Sequence, residues 1–375
     1  MNKLYVDILR GANKIGENLI EISDGETVLL LECGVPICST SLTESVEERV
    51  LRTHYDGVLI THCHRDHSGL LKEQIDTDRI YMGEATYRIL EYCDSIHEGN
   101  KDKIVFLKSE TPFFIGGIKV VPHLCDHSAY DSYMLEIEKK GESVLYTGDF
   151  RSNGRKNFEG LLRRLPQKVD CLITERTNIS ARNKTESDLE METVKLMKQY
   201  DKVFLLQSTL NIDRTVSFYR AATRVGIPFI MSLSSADINS DFSNIPTPIS
   251  FSNCYTYLNR SYNKEDYDRV KSIYGNKLLG RVEIAKKSRY AMQIHSGLLG
   301  YLQKMSFEGS LQNSVLIYSM WQGYKAEMQA FLDGIKALGI QLVDLHVSGH
   351  ADLQAIKRLI AKTQPKEIYM VHCEK

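Results

Sequence analysis

Short apolar stretches, alternating with polar positions over 4–9 and continuous over Val58-Leu59-Ile60, recur between turn residues through the first half of the chain. Alternation with a period of two belongs to strands with one buried face. The pattern predicts strands over residues 4–9, 19–22, 27–31, 79–82, 104–107, 113–115, 118–122, 132–138, 143–146 and 169–173. The second and third form a hairpin around Ser23-Asp24-Gly25-Glu26, and the run Val58-Leu59-Ile60 reads as a fully buried strand. A wider spacing predicts helices over 43–52, with Thr43 as N-cap, over 69–74 and over 84–97. Strands in hairpin order with few helices between them fit two packed sheets flanked by helices, not a doubly wound sheet.

From about residue 183 the rhythm changes. Helices at 186–200, 213–225, 264–274, 297–305 and 323–338 alternate with strands at 202–206, 227–231 and 314–318. A less regular polar stretch, 232–263, holds Pro246 and Pro248. This β/α alternation predicts a second domain with a largely parallel sheet. A last strand, 367–371, leads back to the chemistry of the first part. The expected organisation is therefore one domain from 1–182 and 345–375, with 183–344 inserted into it.

Composition narrows the setting. A chain of 375 residues with 42% hydrophobic positions can build a real core in two domains. Lys plus Arg number 47 against 48 Asp plus Glu, so bulk charge does not announce a nucleic-acid binder. The eight Cys form no C-x-x-C pair and several lie inside apolar runs, which suits mostly buried free thiols in a reducing compartment. Asp7 comes too early for the apolar core of a signal peptide, and no apolar stretch approaches the ~18 residues of a membrane span. The expectation is a soluble, cytoplasmic protein without a membrane partner.

The candidate chemistry starts at Thr61-His62-Cys63-His64-Arg65-Asp66-His67-Ser68-Gly69, directly after the buried strand. Of 11 His in the chain, three fall within six residues here. His62 and His64 share one side of an extended chain, and Asp66 with His67 can serve a second ion nearby. Imidazole with carboxylate suits zinc. The motif matches the signature of the metallo-β-lactamase superfamily, which the chain resembles from here onward. His127, Asp149 and His372 stand at strand ends and complete the set in order. Ligand counting gives one zinc to His62, His64 and His127 and the other to Asp66, His67 and His372, with Asp149 bridging. A hydroxide between two such ions would be the nucleophile, and manganese can occupy the same ligands.

The order of the remaining motifs resembles the β-CASP nuclease branch of that superfamily. An acid, Glu175, follows the metal strands; an α/β insertion comes next; then Ser348-Gly349-His350-Ala351 and the final His372. The resemblance implies an αβ/βα sandwich with an inserted β-CASP-like domain, most similar to compact bacterial relatives of ribonuclease J. It implies hydrolysis of phosphodiesters in nucleic acid, RNA before DNA, by endonucleolytic or 5′-exonucleolytic attack on a single strand. Catalysis would rest on Asp66, Glu175 and His350, with His350 as general acid. Ser208, Thr209, Asn211 and Arg214, at a strand–helix junction, and Ser348 would contact substrate. Ser319-Met320-Trp321-Gln322-Gly323-Tyr324 is a similar junction and holds the only Trp. Arg281, Lys286, Lys287 and Arg289 read as a solvated helix surface rather than a basic groove.

Two departures stand out. Glu32 replaces the Asp that is usual after the early strand, and Cys373 replaces a Gly beside His372. The sequence stops three residues after His372, so the further C-terminal domain of ribonuclease J and the assembly built on it are not expected to carry over; a homodimer is compatible with what remains. The other readings are a hydrolase of small esters or thioesters, a DNA nuclease, and a non-catalytic RNA-binding or scaffolding protein.

Overall fold

The structure, a computed structural model, describes residues 3–37, 44–240, 248–258 and 263–374. The predicted N-cap Thr43, Cys38 and Pro246 lie outside the described residues. The chain divides into two compact units, residues 1–183 with 348–375, and residues 184–347.

The first unit holds two six-stranded sheets. One takes its strands in chain order: Tyr5–Arg10, Leu19–Ser23, Val28–Leu31, Gly57–Leu59, Ile80–Met82 and Ile104–Phe106. The other runs Phe113–Ile115, Ile118–Cys125, Ser132–Lys139, Glu142–Tyr146 and Cys171–Glu175, with Glu367–Val371 added in parallel at its edge. Alternation along each strand decides the layers. Tyr133, Leu135 and Ile137 point into a core shared with Ile20, Leu29, Leu31 and Leu59 of the first sheet. Met134, Leu145 and Leu172 face the other way, onto helices Phe158–Arg164 and Leu353–Thr363. This is the αβ/βα sandwich.

The second unit is a seven-stranded sheet whose pairings are all parallel. Val203 and Leu205 pack on helices Glu186–Gln199 and Ile212–Val225, while Phe204 and Leu206 pack on Leu299–Glu308 and Gln329–Ala337. Thr185 and Asp188 form a capping box at the start of the unit's first helix. The segment leaves and returns at hydrogen-bonded neighbours. Asn183 donates from its backbone to Asp352 and from its side chain to the His350 carbonyl, both at 2.9 Å, and the Leu353 amide donates to Ser180.

Several elements differ from expectation. The helix predicted over 84–97 ends at Tyr92, because Asp94 turns left-handed (φ 49°), and His97 instead caps the short helix Glu98–Lys101. The helix predicted over 69–74 is a 3₁₀ turn, Gly69–Lys72, preceded by a helical turn Arg65–Ser68 inside the ligand motif. The strand predicted over 118–122 runs on through Pro122 to Cys125. The predicted helix 323–338 divides into a 3₁₀ turn, Gln322–Lys325, and helix Gln329–Ala337. The stretch read as irregular contains helix Leu233–Ser240 and strand Cys254–Tyr257. Among the described residues, no helix is long and apolar enough to cross a membrane.

Candidate metal centre

Parallel strands deliver their side chains to one rim, because all of their carboxyl ends lie together. Gly57–Leu59 runs into His62 and His64; Glu142–Tyr146 into Asp149; Cys171–Glu175 ends on Glu175 itself; Glu367–Val371 runs into His372. His127 follows the antiparallel strand Ile118–Cys125. The one-turn helix Arg65–Ser68 swings Asp66 and His67 back toward the same place. Gly148 makes the approach of Asp149 feasible. Its φ is +50°, and a Cβ there would lie 2.7 Å from Thr61 Oγ1.

Two groups of donors result. His64 Nδ1 lies 3.1 Å from both His62 Nε2 and His127 Nε2. Zinc–nitrogen bonds of ~2.0–2.1 Å at tetrahedral angles require nitrogens about 3.3 Å apart, so the three nitrogens are spaced as ligands of one ion. In the other group Asp66 Oδ2 is 2.8 Å from His372 Nε2 and 3.8 Å from His67 Nε2. Asp149 Oδ2 stands among them all, 3.3 Å from His67, 3.7 Å from His127 and His372, and 3.9 Å from His62. Its Oδ1 is buried with no hydrogen-bond partner. A buried carboxylate oxygen left unpaired beside converging imidazoles is expected where a cation belongs.

The protonation states agree for the first group; at His67, in the second, burial is outweighed by Asp149, Glu32 and Asp66, which hold the imidazole well above its usual value, so binding a cation there would release a proton. Burial pushes His62 and His127 well below the usual histidine value, and neighbouring imidazoles push the same way. Burial also outweighs the nearby carboxylates at His64 and holds it at about 4. Neutral imidazole is the ligand form. Burial opposes ionisation of Asp149, but His372, His67 and His350 outweigh it and hold the carboxyl well below its usual range.

An outer layer orients the ligands. Glu32 is fully buried at φ +67°. It accepts from Thr61 Oγ1 and N, from Tyr146 OH at 3.1 Å and from His67 Nδ1 at 3.1 Å, which turns His67 Nε2 toward the cluster. The longer Glu therefore still reaches the ligand His. His127 Nδ1 donates to the Gly349 carbonyl at 2.6 Å. Thr177 Oγ1 lies 2.5 Å from His372 Nδ1, and the His372 amide donates to Gly11. Cys63 and Cys373 are buried free thiols, and burial pushes Cys63 far up, so it is inert.

Glu175 and His350 meet beside the cluster. His350 Nδ1 lies 2.9 Å from Glu175 Oε2 and 3.6 Å from Asp149 Oδ2. Glu175 Oε1 accepts from the Phe150 and Ala351 amides, so the carboxylate is clamped. Burial works against a charged His350, but Glu175 and then Asp149 prevail and push it up to about 9. Its side chain stays 24% exposed; His64 and Asp66 are likewise partly exposed, while the other ligands are buried. Ser348 Oγ accepts from the His350 amide and shapes this loop.

The other expected substrate residues divide. Ser208 is exposed and Thr209 half-buried. Asn211 caps helix Ile212–Val225, accepting from the Arg214 amide. Arg214, expected as a phosphate contact, lies inside its unit. It is fully buried, paired with Glu186 at 2.9 Å, and donates to Ser319 and to the Val347 carbonyl. Its donors are engaged within its own unit. Arg281 pairs with Glu308, and Arg289 donates to the Met197 carbonyl.

Sequence reasoning did not find the buried pair Asp126–Arg151 next to His127. Arg151 also holds the Asp126 carbonyl through its backbone amide. An Asp immediately before a ligand His was the available signal.

Residues 29–212 match the family described as beta-lactamase superfamily domain, and residues 325–375 match the Zn-dependent metallo-hydrolase RNA specificity domain. Residues 29–212 therefore carry a domain of the beta-lactamase superfamily, the superfamily of the sequence motif His62–His67. Within that superfamily it is related to ribonuclease J. It is 22% identical to Ribonuclease J of Synechocystis sp. over 98% of its own length, and it spans 60% of the length of that relative. A crystal structure of a protein of unknown function from Enterococcus faecalis V583 shares the fold, with a TM-score of 0.77 at 18% identity, over 99% of this chain and 94% of that one.

Proposed function

We propose that this chain is a two-zinc phosphodiesterase that hydrolyses RNA. The observation that carries the reading is a clamped His–Glu pair, His350–Glu175, set against a cluster of seven candidate metal ligands. A small-ester hydrolase has less need of a second proton donor there. His62, His64 and His127 would hold one ion, Asp66, His67 and His372 the other, and Asp149 would serve both; manganese suits the same donors. Such ions would bring the pKa of a coordinated water toward neutrality and screen the charge of the scissile phosphate.

The protein's own groups do the rest. Glu175 accepts the hydrogen bond of His350 Nδ1–H, which leaves Nε2 as the ring's second proton site. A proton held there can pass to the leaving oxygen as the P–O bond breaks. The bound cations would pull the His350 pKa down from about 9 toward the working range of a general acid. The match to an RNA-specificity domain and the relation to ribonuclease J favour RNA over DNA.

The test is to count metal in purified protein and incubate it with 5′-labelled single-stranded RNA and matched DNA, beside an Asp66→Ala, His67→Ala control. Metal-dependent RNA cleavage absent from the control is expected. Internal cuts would define an endonuclease and released labelled mononucleotide a 5′ exonuclease. Two bound metals with neither polymer cut would overturn the reading and point to ester or thioester substrates.

A further inference from the structure

Trp321 is the only tryptophan of the chain and is 50% exposed. A half-exposed indole presents a large flat apolar face to solvent. This one is held. Its carbonyl accepts from Tyr318 OH at 2.8 Å and from the Tyr324 amide at 3.2 Å. Tyr318 is itself fully buried. The Tyr324 ring meets the Trp321 ring edge to face at 5.3 Å. Gly323 lets the indole lie against the backbone, since a Cβ there would fall 2.3 Å from a ring carbon. Phe307, by contrast, is 90% exposed.

The position is equally specific. Strands Tyr290–Ile294, Lys202–Leu206 and Ser314–Tyr318 are adjacent and parallel, with Leu206 in register with both Ile294 and Tyr318. The segments that follow them, His295-Ser296, Gln207-Ser208-Thr209 and Ser319-Met320-Trp321-Gln322, therefore leave one rim of the sheet. That is the rim where parallel α/β sheets bind ligands. These segments contain hydroxyls, amides and an imidazole, and no carboxylate. Arg214, buried beneath, donates to Ser319, and the Ser319 amide donates to the Leu206 carbonyl, so two of the segments are tied together. Asp344, in register with Tyr318 at the same rim, is paired with Lys325 at 2.7 Å; a rigid, half-exposed aromatic face beside that neutralised acid suits a polyanion that carries flat rings.

We infer that Trp321, braced by Tyr324 and Gly323, is a stacking platform for a nucleobase of single-stranded substrate. The inference rests on the nucleic-acid reading above and adds a recognition residue to it. Stacking accepts any base but needs it unpaired, so the platform selects single strands over duplex.

The sole tryptophan makes the test direct. Intrinsic emission of the intact protein is titrated with a phosphorothioate-linked single strand, which resists hydrolysis, with its duplex, and with inorganic polyphosphate. Anisotropy of a labelled copy of the strand measures binding in parallel. Emission is expected to be quenched along the same curve as single-strand binding, and neither duplex nor polyphosphate should reproduce it. Trp321→Ala should weaken single-strand binding about five- to hundredfold, and Trp321→Phe should restore most of it. A strand that binds while emission stays unchanged would overturn the platform, and RNA cleavage by the same preparation would then leave the nuclease reading standing. Equal quenching by polyphosphate would also overturn it, as would an emission shift that follows protein concentration alone and marks a second copy on this face. If the strand is neither bound nor cut, both readings fall.

Discussion

A single carboxylate organises much of the buried site. Glu32 gathers Thr61, Tyr146 and His67 through two oxygens. Replacing it with Gln keeps the shape but gives His67 Nδ1 a weaker partner, so metal affinity should fall about 10–100-fold with the fold retained; competition with a chromophoric chelator measures this. His350 has the complementary profile. His350→Ala should keep its metal, measured as content, while RNA cleavage drops by about 10²–10⁴. Simultaneous loss of metal would show that His350 is a ligand instead. The His62–His67 motif was legible because its ligands are neighbours in sequence. Glu32 was legible only as a departure, since its reach depends on a left-handed backbone that no local pattern announces. Arg214 misled for the opposite reason: a strand–helix junction with an Arg resembles a phosphate site, yet its partner Glu186 sits 28 residues back on a packed helix.

The hairpin Leu19–Leu31 shows how an element can carry a pH dependence. Asp24 sits in its turn, accepts from the Glu26 and Thr27 amides and pairs with Lys139 of the second sheet. Burial alone would raise its pKa, but Lys139 and those amides outweigh burial and hold it at about 2. The folded value lies below the usual aspartate value of ~3.9, so the pair's contribution is complete above that pH and is lost as pH falls toward 2. Asp24→Asn should cost about 1–2 kcal/mol at neutral pH, less than the full linkage because Asn can still cap the turn. Thermal melts from pH 7 to 2 should show the gap from the parent closing in acid; a constant gap would exclude the linkage. Strand periodicity made this hairpin and its sheet readable from sequence. Helix ends read less well: the helix 84–97 looked continuous because Cys93-Asp94-Ser95 gives no Gly or Pro to mark the left-handed break. Helix Leu353–Thr363 lay hidden beside the conspicuous Ser-Gly-His motif.

At the scale of the molecule, every candidate ligand belongs to the unit formed by 1–183 and 348–375. Metal removal should therefore act on one unit only. With chelator, amide hydrogens of Cys171–Glu175 and Glu367–Val371 should exchange faster, while those of Lys202–Leu206 and Ser314–Tyr318 keep their protection. Equal loss in both would contradict this. The change of rhythm near residue 183 falls where one compact unit gives way to the other, because hairpin order and β/α order bury their faces differently. What no periodicity could show is how the two crossing points are joined. Asn183 and Ser180 on the way out are stitched to His350, Asp352 and Leu353 on the way back. For a growing polymer this changes the arithmetic of ring closure. An unfolded stretch spanning 184–347 would hold the last strand and its histidine far from their places. Once that stretch has collapsed on itself its two ends are neighbours, and the remaining closure costs no more than an ordinary surface loop. The outer domain is then contiguous in every sense but sequence, and a few-residue bridge in place of the insert should still let it form.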